Sequence, residues 1–376
     1  MFTDNIYMFL IGTAFMRLKW FLIFGGFCLF FLFQISMAHA LDRPLTPAEV
    51  AKLKKNLTTE SANKLSRRFL MDHYAREKQW AEYVVTAQPI QKDLPAKIQL
   101  ELIQAHLLLK DGKGALSVIG FYQSQNPPSS ETKVLEADAL LLLALKGTTE
   151  VARKQGGVEV ITVLREAIRL DPLNKTAYFR WVDVLKTFWT SYAEDTLQVY
   201  YQLESATKET NGYLDDKCAL YVQAALWDQA LETCKRGIVQ ASPRIETYVN
   251  LAKAQAVKES LQDSKKTLKA LVTRFPQAVE AHTALADNYF SENNFILAAE
   301  HYRTSTKLDP SNPTAFLALA ECEFRQKKYL EALEAYKQNC HLSRTLASEF
   351  KHATGELRSN YPLHNKYKNV MSSCQK

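Results

Sequence analysis

KLDPSNPTAFL at 307–317 repeats, with few changes, RLDPLNKTAYF at 169–179. The spacing from Pro172 to Pro310 exceeds by two positions four periods of about 34 residues, the period of one particular kind of helical repeat. Proline cannot continue a helix and biases the residue before it away from helical backbone. Asp171-Pro172 and Asp309-Pro310 therefore mark the ends of two equivalent helices.

From residue 211 onward the period is unbroken. Trp227, Leu261, Phe295 and Tyr329 follow one another at that same constant interval; small residues come three positions later, at Ala230, Ser264, Ala298 and Ala332. A third column holds Cys234, Leu268, Tyr302 and Tyr336, and on the preceding helix Leu251-Ala252, Leu285-Ala286 and Leu319-Ala320 keep the same phase. Within each unit apolar residues recur at i, i+3, i+4 and i+7, so each unit predicts two amphipathic helices. A small residue at a fixed point lets two helices approach closely, while the large residues fill the groove toward the next unit. One such pair cannot bury its apolar face alone, so the copies must stack into a solenoid.

These columns resemble the tetratricopeptide repeat family. The unit 279–312 carries the family's signature positions as Leu285, Ala286, Tyr289, Phe295, Ala298, Tyr302 and Pro310. It departs at His282, where tryptophan is usual, and at Ser305, where alanine is usual. Units 211–244, 245–278 and 313–346 follow the pattern with Lys217 and Gln255 on normally apolar positions and Glu323 in place of a tyrosine. Residues 175–210 form a slightly longer variant, which supplies the two extra positions in the proline spacing, and upstream the match thins through 96–119 to 69–85. The resemblance implies an all-α, right-handed superhelical solenoid of antiparallel helix pairs over 63–342, strongest over 211–342. Leu342, Leu346, Phe350, Ala353 and Leu357 share one helical face and predict a capping helix over 343–359. Residues 41–62 read as a linker leading into a short helix, and 360–376 as a flexible tail.

Composition agrees with helices. Gly and Pro number 12 each among 376 residues, about 3% apiece against roughly 7% and 5% in average usage, which disfavours a turn-rich β architecture. The first forty residues differ from the rest. Arg17 and Lys19 precede an apolar run from Trp20 to Ile35, and Ala38-His39-Ala40 follows, the layout of a secretory signal peptide cleaved after Ala40. The same run is near the lower length limit for an uncleaved membrane anchor. Either way the remainder is expected outside the cytoplasm, in the periplasm or cell envelope. The formal net charge of +7 is scattered rather than gathered on one stripe, which argues against a nucleic-acid partner.

No catalytic or cofactor motif stands out: G-x-S-x-G, H-E-x-x-H, C-x-x-C and glycine-rich phosphate loops are absent from the sequence. His341, His352 and His364 with Cys340 and Cys374 match no usual zinc spacing. The expectation is a non-enzyme without metal or cofactor. Cys218 lies on the inward face of the first helix of its unit and Cys234 on that of the second, at similar height around a turn near 225. They are either a disulfide stapling the hairpin or two buried thiols.

Function must then lie in a surface. In the resembled family the first helices of successive units line a concave face that binds a peptide or partner helix. By phase that stripe carries Val249, Asn250, Lys253 and Val257, then Thr283, Asp287 and Phe290, then Leu317, Glu321 and Phe324. Val249, Phe290, Leu317 and Phe324 are apolar where a solvated face is polar, as expected of a partner site; the alternative is that the C-terminal cap or the superhelix itself covers them. The reading is an exported scaffold or adaptor for another protein or peptide; its alternative is an accessory subunit or activator of an envelope enzyme, secretion or cell-wall assembly complex.

Overall fold

The computed structural model describes residues 44–58, 60–209, 212–240, 243–343 and 361–374. Every regular element among them is helical. The chain divides into two compact units, Met1–Arg180 and Trp181–Lys376. Unit 1 holds α1 (Pro47–Lys55), α2 (Glu60–Arg76), α3 (Trp80–Ala87), α4 (Ala96–Leu108), α5 (Gly112–Gln125), α6 (Ser130–Ala144) and α7 (Glu150–Leu170); α8 (Lys175–Phe188) runs across the division. Unit 2 continues with α9 (Ala193–Thr207), α10 (Leu214–Gln223), α11 (Trp227–Gly237), α12 (Ile245–Lys258), α13 (Leu261–Arg274), α14 (Val279–Ser291), α15 (Phe295–Leu308), α16 (Pro313–Arg325), α17 (Tyr329–Ser343) and α18 (Tyr361–Cys374).

In each unit helices pack as sequential pairs: α2 with α3, α4 with α5, α6 with α7, and in unit 2 α10 with α11 through α16 with α17. The second helix of a pair touches the first of the next, and first helices also touch one another, α4 to α6, α10 to α12 and α12 to α14. This is the all-α helix-pair solenoid that the periodicity predicts. Ala230, Ser264, Ala298 and Ala332 are buried, as are Leu251, Leu285, Leu319 and the alanines that follow them.

The repeated LDPxN stretch is a corner. Asp171 and Asp309 end α7 and α15, their backbone N–H groups donating to Ala167 and Ser305 carbonyls at 3.0 and 2.8 Å. Their carboxylates turn inward, accepting from the N–H of Leu173 at 2.9 Å and of Ser311 at 3.0 Å. Asn174 and Asn312 then accept from Thr176 and Thr314 N–H groups at 3.1 and 3.0 Å, so that the next helix starts with its orphan donors satisfied. Pro313 occupies the first turn of α16, where its missing N–H costs nothing.

Turns inside the pairs use another device. Lys78, Lys110, Ala225, Asn293 and Lys327 all have positive φ between 55° and 61°, the last three in phase with the repeat. In each, two backbone bonds close the helix end; for α14 Asn293 N–H donates to Phe290 O and Asn294 N–H to Tyr289 O, both at 2.9 Å. This is the left-handed helix stop that usually takes glycine, here made by side-chain-bearing residues in a glycine-poor chain.

Polar residues on normally apolar repeat positions find partners. Lys217 pairs with Glu204 at 2.7 Å, Gln255 accepts from Thr267 at 2.7 Å, and the buried Glu323 pairs with Arg303 and, at 3.6 Å, Lys328.

Both ends differ from expectation. Residues 47–55 of the expected linker are a helix begun by a capping box, Thr46 with Glu49, and Leu53 is buried in the unit 1 core. The expected flexible tail forms α18, which packs on α17 and buries Leu363 and Val370. Pro362 falls in the first turn of that helix, where proline is tolerated, and apolar residues seven apart share one face. Burying each of the two stabilises by about 1.5–3 kcal/mol. Beyond Ser343, which ends α17, the expected capping helix at 343–359 lies outside the described residues. No helix among the described residues is long and apolar enough to cross a membrane.

Candidate functional site

The stripe in unit 2 is more polar than its sequence implies. Val249 is buried in the core, and Phe290, Leu317 and Phe324 are half-buried and packed against it. Phe290 meets Phe295 edge-on at 5.3 Å and Phe324 meets Tyr329 at 5.7 Å. The expectation that these four form an exposed apolar patch is therefore corrected. A first helix in a stack touches both its own partner and the preceding second helix, so its apolar face is wide and takes them in.

What solvent reaches is Lys253, Val257 and Asp287, with Asn250, Thr283 and Glu321 half-exposed. Lys253, Asp287 and Glu321 stand one repeat apart. Tyr302 donates to Asp287 and, one repeat on, Tyr336 donates to Glu321 at 3.3 Å. Glu321 also pairs with Arg325 at 2.7 Å. Asp287 is exposed, yet surrounding protein raises its pKa above the ordinary aspartate value, against the Tyr302 bond and the Lys253 charge.

Next to this wall lies a histidine pair. His282 faces the Pro276 carbonyl through Nε2 at 3.0 Å, so that nitrogen carries a proton and Nδ1 accepts. His301 Nδ1 donates to it at 3.1 Å, and the His301 ring stacks on Tyr289 with centroids 5.8 Å apart. The Lys265 and Lys269 ammonium groups lie 5.5 and 5.7 Å from the Tyr289 centroid. Burial, then the neighbouring His282, hold the His301 pKa below the ordinary value, against Glu300. The arrangement is a satisfied structural joint.

Cys218 and Cys234, on α10 and α11, are joined by a disulfide with Cα atoms 5.0 Å apart. Cys340 is also disulfide-bonded, while Cys322 is a buried free thiol whose pKa burial pushes up to about 12. Among the described residues no three His, Cys, Asp or Glu side chains gather to hold a metal.

Unit 1 contains a surface that the sequence reading did not single out. Gln104, Leu107 and Leu108 of α4 and Leu135, Asp138, Leu141 and Leu142 of α6, with Arg180, line a groove of about 500 Å³. α4 and α6 are first helices of successive pairs. Leu108 is 61% exposed, and the charges in the groove compensate each other, Arg180 donating to Asp138 at 2.9 Å. The signal in the sequence was an excess: HLLLK at 106–110 and LLLLALK at 140–146 hold more leucines than one helical face can bury.

Residues 283–339 match the sequence model of the tetratricopeptide repeat family. Among solved structures, a tetratricopeptide repeat protein from Parabacteroides merdae ATCC 43184 is similar over 69% of this chain and 96% of its own, at 14% identity and a TM-score of 0.49. MamA protein is similar over 44% of this chain and 90% of its own, at 18% identity and a TM-score of 0.37. No curated protein matches the chain in sequence.

Proposed function

We propose that this chain, whose residues 283–339 match the tetratricopeptide repeat family, is an exported, non-catalytic adaptor that holds a partner protein or peptide against its first helices. The fold generically mediates protein–protein interaction. The observation that carries the finer reading is the leucine-lined groove between α4 and α6. Leu108 stands exposed beside the half-buried Leu107, Leu135, Leu141 and Leu142, a shared apolar lining of the kind that takes a partner's apolar side chains. In unit 2 the corresponding wall offers Asn250, Lys253, Thr283, Asp287 and Glu321, which suit polar contacts that set register rather than affinity.

Export is supported by the basic-apolar-AHA layout of residues 17–40 and by the disulfides at Cys218–Cys234 and Cys340, which persist in oxidising compartments. The periplasm or cell envelope is the proposed location, and an envelope protein the proposed partner.

The test is affinity capture with the full chain beside a Leu108→Asp/Leu142→Asp variant of equal helicity. One protein retained by the parent in stoichiometric amount and lost from the variant supports the reading. Equal capture by both, or none by either, contradicts it.

A further inference from the structure

The wall of first helices in unit 2 carries one polar device twice, and one copy has fewer parts. In the complete copy Glu321 of α16 divides its two oxygens between two donors. Oε2 accepts from the Tyr336 hydroxyl of α17 at 3.3 Å, and Oε1 accepts from Arg325 Nε at 2.7 Å, one helical turn further along α16. One repeat period earlier, Asp287 of α14 takes the place of Glu321, and Tyr302 of α15 that of Tyr336. Tyr302 is buried and donates to Asp287 Oδ1.

The third part of the device is not repeated. The position equivalent to Arg325 is Ser291, the last residue of α14 as Arg325 is the last of α16. The Ser291 hydroxyl donates to the backbone carbonyl of Asp287 at 2.9 Å, and α14 contains neither lysine nor arginine. Among the described residues no hydrogen bond or ion pair reaches Asp287 Oδ2. Lys253, one period back on α12, acts on the carboxylate through its charge without an ion pair. Asp287 is exposed, so a group from outside can meet it.

The neighbouring repeat selects that group. A carboxylate held through one oxygen by a tyrosine takes a guanidinium on the other at Glu321, and the planar, weakly hydrated guanidinium is the cation best suited to a fixed carboxylate. A hard metal ion needs several oxygen ligands, and among the described residues no three His, Cys, Asp or Glu side chains gather.

We propose that Asp287, oriented by Tyr302, is the subsite for an arginine side chain of the bound partner segment. The partner supplies to Asp287 the guanidinium that Arg325 supplies to Glu321 from within the chain. This rests on the reading of the first helices as the partner-binding wall and names the side chain recognised there.

Nuclear magnetic resonance of the full chain with isotope-labelled tyrosine rings tests the subsite without a partner, the Tyr302 signal being assigned from Tyr302→Phe. Nα-acetylarginine amide shifts that signal, less so as salt is raised, whereas its neutral isostere Nα-acetylcitrulline amide does not. Asp287→Asn abolishes the response. Ser291→Arg installs the missing part at the spacing of an i, i+4 helix pair, so it moves the Tyr302 signal without any probe and removes the response to arginine. Equal response to both probes, a response kept in Asp287→Asn, or a Tyr302 signal indifferent to arginine overturns the inference. Stoichiometric capture of a partner beside an indifferent Tyr302 signal overturns the subsite alone; a Tyr302 response to arginine with no partner captured supports the subsite and contradicts the adaptor.

Discussion

Breaking the Cys218–Cys234 bond should cost unit 2 about 3 kcal/mol, because a cross-link of this loop size removes that much conformational freedom from the unfolded chain. The loop is set by a sequence separation of 16. Both sulfurs are fully buried in a cluster with Leu251, so each Cys→Ala change adds a small void, about 1 kcal/mol. A reductant is a poor tool because it also opens the disulfide at Cys340. Substitution isolates the bond. Urea unfolding followed by circular dichroism should show Cys218→Ala and Cys234→Ala each losing about 3–4 kcal/mol, with the double variant only slightly worse, since the first change already abolishes the cross-link. At roughly 2–4 °C per kcal/mol for a unit of this size, melting falls by about 6–16 °C. Single variants that each lose under about 1 kcal/mol, and that add in the double variant, refute the reasoning: the two thiols then merely pack.

Three further outcomes follow from the fold. His301 has a depressed pKa, so the unfolded chain takes up its proton first. Its stabilising contribution is therefore complete above the unfolded value of about 6.5 and is lost as pH falls from there toward the folded value; between pH 7.5 and 5.5 the parent should lose more stability than His301→Gln in paired urea melts. Ala225 adopts φ 55° at the α10–α11 stop, so Ala225→Gly should stabilise by about 1 kcal/mol, relieving the left-handed strain, with the gain visible in the denaturation midpoint. Leu363→Ala should cost about 2–3 kcal/mol and raise hydrogen exchange along α17, whereas a mobile tail predicts no change.

Much of this was legible because the repeat writes the same physical constraint several times. The small column at Ala230, Ser264, Ala298 and Ala332 and the LDPxN corners are read directly, since a close helix approach and a helix end each demand particular residues. Cys218 and Cys234 could be placed at one height from the hairpin geometry alone. What escaped depends on how many neighbours a helix has. Phe290 and Phe324 face their own partner helix as well as the groove wall, and a periodicity count assigns a residue only one face. The helical form of the tail escaped because proline near the start of α18 reads as punctuation when it occupies the one helical turn that accepts it. The leucine groove escaped because a surplus of apolar residues looks like core until burial separates Leu102 and Ile103, which are inside, from Leu108, which is not.

The first helices of the two units differ in the surface they offer. Unit 1 offers apolar surface with compensated charge, and unit 2 a polar wall stiffened by the Tyr302–Asp287 and Tyr336–Glu321 bonds and the adjacent hairpin disulfide. Under the proposed reading α4 and α6 supply apolar contacts and α12, α14 and α16 polar ones.

The most direct measurement is hydrogen–deuterium exchange of the full chain with and without its captured partner. The account predicts protection concentrated on α4 and α6 around Leu107, Leu108, Leu141 and Leu142, with weaker protection along the Lys253–Asp287–Glu321 wall. Protection confined to second helices such as α5 and α7, with α4 and α6 unchanged, contradicts it.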